Sequence, residues 1–211
     1  MPRISNLPLV GLLLLMASCN SSRKPSAENF TQAINQYLDQ HGKTCTLISR
    51  QFPIDIPASA QQTQYGFGPQ LLALQHAGLV SETDTTAVVH TMLDPLRGTT
   101  PPQPVRQYQL TAEGQKYFQQ VPGSFGPTGS LCYGQKSVDS ILDWSNPVNT
   151  GDSSQTEVTY KYKFVNLAAW ANQTEIQRKF PDIASEVNGA SKTNQKIGLQ
   201  LTNDGWKVLG F

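Results

Sequence analysis

Apolar positions along this 211-residue chain change their period from one stretch to the next, and the elements follow from that change. Phe30, Ala33, Ile34, Tyr37 and Leu38 fall at i, i+3, i+4, i+7 and i+8, which predicts an amphipathic helix over 26–40. Ser26 or Asn29 can cap its start, and Gly42 is expected to end it as the residue that tolerates a left-handed turn. Thr44 to Ile48 reads as a short strand carrying Cys45, and Pro53 and Pro57 break the chain ahead of a loop over 58–64. A second helix, 69–77, draws apolar surface from Leu71, Leu72 and Leu74 and stops at Gly78, after which Leu79-Val80 opens a strand. Beyond a Thr- and Pro-containing excursion, 105–110 reads as a strand and 111–118 as a short helix.

The second half turns to a period of two. Residues 131–133 and 138–144 are expected as strands, although Val138, Ile141 and Leu142 suit a helix equally well and period alone does not separate the two. Residues 147–154 are rich in turn formers. Val158, Tyr160, Tyr162 and Phe164 then alternate with Thr159, Lys161 and Lys163, the clearest half-buried strand in the chain. The partner expected for its apolar face is the helical stretch 174–187, where Ile176, Phe180, Ile183 and Val187 share a side; Pro181 should kink or split it and Gly189 close it. Ile197, Leu199 and Leu201 alternate again, and Asn203-Asp204-Gly205 signals a hairpin returning through Trp206 and Val208.

The first 19 residues follow neither period. One cation, Arg3, precedes an apolar run from Leu7 to Met16, shorter than the roughly 20 residues a membrane span needs. A buried N-terminal helix is the alternative, disfavoured by the lack of an amphipathic period and by Pro8 and Gly11. Met16-Ala17-Ser18-Cys19 resembles the lipobox of bacterial lipoproteins, with Met16 where Leu is commoner. The resemblance implies that Cys19 receives a diacylglyceryl group and becomes the mature N-terminus. More than one acyl chain makes such anchoring stable, each buried CH2 contributing about 0.8 kcal/mol. In an envelope with two membranes, Asn20 rather than Asp after the cysteine implies an outer-membrane lipoprotein facing the periplasm.

The mature chain would hold about 190 residues, and loss of Arg3 leaves its charges balanced, which offers no field for nucleic acid. With Cys19 acylated, Cys45 and Cys132 remain, and an oxidising compartment allows them a single intramolecular pairing. A Cys45–Cys132 disulfide is therefore expected; the alternative is two separate buried or reactive thiols.

The order helix, helix, Gly-Leu-Val, excursion, Tyr-Gln-Leu-Thr and Glu-Gly over roughly 30–118 resembles the back half of a winged-helix domain. LLALQHAGLV would be the second helix entering a β-wing and YQLTAEGQKYF the returning strand with its final helix. DNA-reading winged helices carry basic residues there, whereas 69–77 contains no Lys or Arg, and 29–118 holds five Lys and Arg against six Asp and Glu. The expectation is a scaffold or protein-binding unit. The fold class expected is α+β: a winged-helix-like portion followed by an antiparallel sheet with one packed helix. Its divisions are a signal peptide (1–18), a mobile tether (19–28), the winged-helix-like portion (29–120), a Gly/Pro/Ser-rich linker (121–130) and the sheet with its helix (131–211).

Chemistry-bearing residues do not converge in the sequence. His41, His76 and His90 form no metal-ligand spacing, and HExxH and CxxC are absent. His41 suits a helix end, where a cation complements the dipole. Ser130, Ser137 and Ser140 lack a nucleophile-elbow context, and Asp139 with Asp143 reads as solvated surface. Tyr160, Tyr162, Trp144, Trp170 and Trp206 can line a peptide or glycan groove but more commonly fill a core. The function expected is a non-catalytic binding or scaffolding module in the cell envelope, with no cofactor and no catalytic residue, held to the membrane by its lipid and meeting another envelope protein. A thiol hydrolase using Cys132 with a histidine is the alternative, and a DNA-binding regulator a distant one.

Overall fold

A computed structural model describes residues 22–48, 51–61, 67–89, 101–122, 126–151 and 153–210. Cys19 with the lipobox-like residues before it, His90 and residues 123–125 of the expected linker lie outside the described residues. The mixed α+β class is as expected. Helix α1 (Ala27–His41) begins at Ser26, whose side chain accepts the Asn29 N–H. At its other end Gly42 adopts φ −87°, not the left-handed turn expected. The glycine is needed for a different reason: a Cβ there would lie 2.6 Å from the Leu38 carbonyl oxygen and 2.7 Å from the Gln135 carboxamide nitrogen.

Strands β1 (Lys43–Leu47), β5 (Phe118–Val121), β6 (Thr128–Trp144), β7 (Val148–Thr150), β8 (Ser153–Val165), β9 (Asn194–Thr202) and β10 (Gly205–Val208) make a seven-stranded antiparallel sheet, ordered β1-β6-β8-β9-β10. β5 joins it on β6, and β7 on β8. Residues 131–133 and 138–144 thus belong to one long strand. Its register to β8 slips between Val138 and Ser140 and again between Ile141 and Asp143. Two bulges explain the helix-like spacing in the sequence. Each inserts an extra residue, so Val138, Ile141 and Trp144 reach the same core at intervals of three.

That core is filled by α1. Phe30, Ala33, Ile34 and Leu38 pack against Val138, Val158, Tyr160, Tyr162, Leu199, Trp206 and Val208. The apolar face of β8 therefore rests mainly on α1, while 174–187, the partner expected from the sequence, meets only its far end through Phe164 and the Tyr162 hydroxyl, which donates to Glu186. The latter stretch is split at Pro181, as its ring requires, into α5 (Thr174–Lys179) and α6 (Pro181–Gly189). Ile176, Phe180 and Ile183 are buried in a second core with Leu131 and Tyr133 of β6.

The second core also takes in a three-stranded antiparallel sheet, β2 (Ile54–Pro57), β3 (Val80–Ala87) and β4 (Gln103–Leu110), ordered β2-β4-β3. Part of the expected loop 58–64 is instead a helical turn, α2 (Ala58–Gln61), and α3 (Gly68–His76) contributes Leu71, Ala73 and Leu74. α4 (Ala112–Gln115) is shorter than expected because Phe118 already pairs with Leu131 in β5. Of the expected linker, Val121 closes β5 and Thr128 opens β6, the two paired with each other.

Candidate functional site

The Cys45–Cys132 disulfide joins neighbouring strands across 87 positions of sequence, its cysteines directly opposed in the β1–β6 ladder. β5 and β8 lie end to end along the other edge of β6, covering residues 128–131 and 135–144 respectively. Between them β6 is held by single contacts: Cys132 N–H donates to the Tyr117 oxygen at 2.8 Å, and Ala168 N–H to the Tyr133 oxygen at 2.7 Å. A cleft of about 260 Å³ opens at this break, with Cys132, Tyr133 and Gly134 in its wall.

The cleft sets several hydrogen-bond donors around a largely apolar wall. Lys43 and Gln119 stand over the disulfide: Lys43 Nζ donates to Gln119 Oε1 at 2.9 Å, and Gln119 Nε2 lies 3.5 Å from Cys45 Sγ. Gln135, also in the wall, turns its amide to the Leu38 oxygen at the end of α1. Lys116 and Asn166 complete the rim, and Tyr117 and Phe118 supply aromatic surface. Glu113 accepts from Lys116 and from the Tyr117 hydroxyl, the latter at 3.2 Å. The hydrogen bond that Lys116 donates to Glu113 raises the Lys116 pKa above its ordinary value, and the same bond lowers that of Glu113. Burial, followed by the bond to Glu113, raises the Tyr117 phenol. Lys116 is therefore an ammonium ion at any physiological pH. Two lysines and three carboxamides suit a ligand bearing carboxylate or carbonyl oxygens.

The structure gives the other singled-out residues structural settings. Cys132 Sγ is bonded to Cys45, so the hydrolase reading lacks its free thiol, and the cleft lining contains no histidine. His41 sits in the last turn of α1, stacked on Tyr37 with ring centroids 4.5 Å apart. His76, at the end of α3, meets Glu175 at 3.0 Å and ties α3 to α5. Ser130 donates to the Thr46 oxygen, Ser137 donates to Asn35, and Asp139 and Asp143 are exposed. Among the described residues, no group of three His, Cys, Asp or Glu side chains could hold a metal ion.

The aromatics belong to the cores. Phe30 meets Trp144 and Trp206 edge-on at 5.3 and 5.1 Å, while Trp170 meets Tyr117 and Tyr133 at 5.8 and 6.0 Å. Tyr160, Tyr162, Trp170 and Trp206 are buried, and of these Trp206 also reaches the wall of a shallow pocket between α1 and the β9–β10 turn. Sequence reasoning identified the disulfide but not Lys43, Lys116, Gln119, Gln135 or Asn166. These come from separate segments, and isolated Lys and Gln residues on strands look like ordinary surface. Their only sequence signal is nearness to a cysteine or to a strand end. Compared with protein-family models, with curated proteins and with solved structures, the chain gives no match.

Proposed function

We propose that this chain is a lipid-anchored cell-envelope protein acting as a non-catalytic binding or scaffolding module, held by an acylated Cys19 at the periplasmic face of an outer membrane. The observation that carries the binding role is the donor-rich cleft over the Cys45–Cys132 disulfide. Its lysines and carboxamides would receive a carboxylate- or carbonyl-bearing segment of an envelope partner. Support for the anchor comes from the stretch ending in Met16-Ala17-Ser18-Cys19, and the disulfide fits an exported protein. Among the described residues no helix is long and apolar enough to cross a membrane, so a lipid would supply the attachment.

A photoreactive amino acid at Gln119 in the full chain, expressed in its native cells, tests the cleft. Partner crosslinks should form there and be absent with the same probe at exposed Ser185 on α6. Equal capture at both positions overturns the cleft assignment. Incorporation of labelled palmitate, lost in Cys19→Ser, tests the anchor independently.

The finer reading of residues 30–118 as winged-helix-like is supported by the strand order β2-β4-β3 and by α3 preceding the β3–β4 pair. Against a full winged helix, α1 packs on the other sheet. The DNA-binding alternative has little support, since α3 carries no Lys or Arg. For the thiol hydrolase, alkylation of Cys132 in the native, unreduced protein is the deciding measurement.

A further inference from the structure

The start of the described chain is not a free tether. The Arg23 guanidinium donates to the Thr202 oxygen at 2.9 Å and to the Asn203 oxygen at 3.4 Å, 179 and 180 positions away in sequence. Asn29 Nδ2 donates to the Lys24 oxygen at 2.9 Å. Ser22 crosses the hairpin so closely that a Cβ at Gly205 would lie 3.2 Å from its oxygen. Ser22 and Arg23 therefore belong to the body of the protein, on the β9–β10 turn. The mobile spacer expected from the sequence is held down over Arg23 and Lys24.

From this we infer that the end of the sheet formed by the β9–β10 and β7–β8 turns is the face that rests on the lipid headgroups of the bilayer, an inference that rests on acylation of Cys19. Only Asn20 and Ser21 separate Cys19 from Ser22, and four peptide units reach at most about 14 Å from Cys19 to Arg23. The β5–β6 turn stands at the opposite end. β6 alone is 17 residues, about 55 Å of extended chain, so a body clamped at Arg23 cannot bring that end to the membrane without carrying the clamp away from it.

The register places the two turns side by side. Gln155 of β8 pairs with Val148 on one side and with Gln200 on the other, so both hairpins close just beyond the same row. Val148 is 65% exposed, more than any other large apolar side chain recorded for the described residues. Its described neighbours on β7 and β8 are short and uncharged, Asn149, Thr150, Ser153 and Ser154, while the adjacent β9–β10 turn carries the exposed ion pair of Asp204 with Lys207. One apolar side chain among hydroxyls and amides suits the interfacial layer, where headgroups exchange hydrogen bonds and the first methylenes accept a valine. The cleft over the disulfide, toward the far end of β6, would then face away from the membrane.

The test uses the full acylated protein in phosphatidylethanolamine and phosphatidylglycerol vesicles. A fluorophore is attached through Asp204→Cys, Val148→Cys or Gln120→Cys, the native disulfide being left oxidised, and lipids spin-labelled at the headgroup act as quencher. Quenching should be several-fold stronger at positions 204 and 148 than at 120, and a flexible Gly/Ser spacer inserted after Ser21 should reduce that contrast. Similar quenching at all three positions in protein that floats with the vesicles overturns the inference while leaving the anchor intact. Protein that fails to float, with Cys19→Ser behaving identically, overturns both. A probe at position 204 that crosslinks in cells to a protein and not to lipid also overturns it.

Discussion

The Asn35 side-chain oxygen accepts the main-chain N–H of Val138 at 2.8 Å. It also receives the Ser137 hydroxyl at 3.0 Å. Val138 lies where the β6–β8 register first slips, so a helix side chain supplies the partner that α1 would otherwise screen from water. Asn35→Ala should cost about 1–3 kcal/mol, the penalty of leaving a part-buried donor unmatched. Asn35→Asp, which keeps the acceptor, should recover most of the loss. Urea denaturation with an unchanged m-value would measure both, and equal stability of Asn35→Ala and the parent protein would show the bond to be dispensable.

The disulfide closes a long loop between adjacent strands. On the chain-entropy estimate, the double change Cys45→Ser with Cys132→Ser should destabilise by roughly 4–5 kcal/mol. Thermal unfolding with and without reductant is the measurement, and the parent protein should migrate faster on a non-reducing gel than after reduction.

Two glycines give opposite expectations for the same change. A Cβ at Gly114 would lie 2.0 Å from the Leu79 carbonyl oxygen, which also accepts the Thr111 N–H at 3.0 Å. Backbone on that side cannot yield cheaply, and Gly114→Ala should cost about 3 kcal/mol. At Gly68, which opens α3, nothing lies within 4 Å. Gly68→Ala should be neutral or add about 0.5–1 kcal/mol by restricting the unfolded chain. Comparing the two melting temperatures is sufficient.

Tyr162 predicts an alkaline weakness. Its hydroxyl donates to the Glu186 main-chain oxygen at 2.7 Å and lies 3.1 Å from the Glu186 carboxylate, while Lys136 pairs with that carboxylate and covers the ring at 4.5 Å. Burial, with the Glu186 charge second, pushes the phenol up to about 12. A phenol with a raised folded pKa contributes stability that is complete below its unfolded pKa, near 10, and is lost as pH rises toward 12. The loss is on the order of 3 kcal/mol. Tyr162→Phe should flatten the fall in stability between those values without abolishing it, because burial also raises Tyr133 and Tyr160. An identical alkaline profile for the variant would remove Tyr162 from the account.

Much of the second half was legible because its strands obey a simple period. Tyr160 and Tyr162 point inward as their alternation requires, Pro181 divides its helix, and Gly205 closes the hairpin at φ 112°. What period could not assign was the partner of each face. Two helices were available to β8, and both present a stripe of similar width. The β6 bulges misled for a related reason: inserted residues convert a period of two into one of three, which is the mark of a helix.

The candidate cleft was legible only at its cysteines. Lys43, Lys116, Gln119 and Asn166 meet in the gap between the start of β5 and the end of β8, a gap set by where the two strands pair along one edge of β6. The proposed signal peptide with its cysteine, by contrast, rests on length, hydropathy and small residues alone, with no folding partner.

By itself the sequence determined what is local: α1 and its Ser26 cap, the alternation of β8 and β9, and the break at Pro181. Tertiary structure alone decided that α1 fills most of the face of β8 and leaves α5 and α6 only its far end. It also decided that Arg23 clamps the chain start to Thr202, and that separate polar residues surround one disulfide. The physical reason is range. Capping, turn chemistry and side-chain period act over a few residues, whereas apolar burial is indifferent to which stripe meets which face until the strand lengths, bulges and chain crossings are all satisfied together.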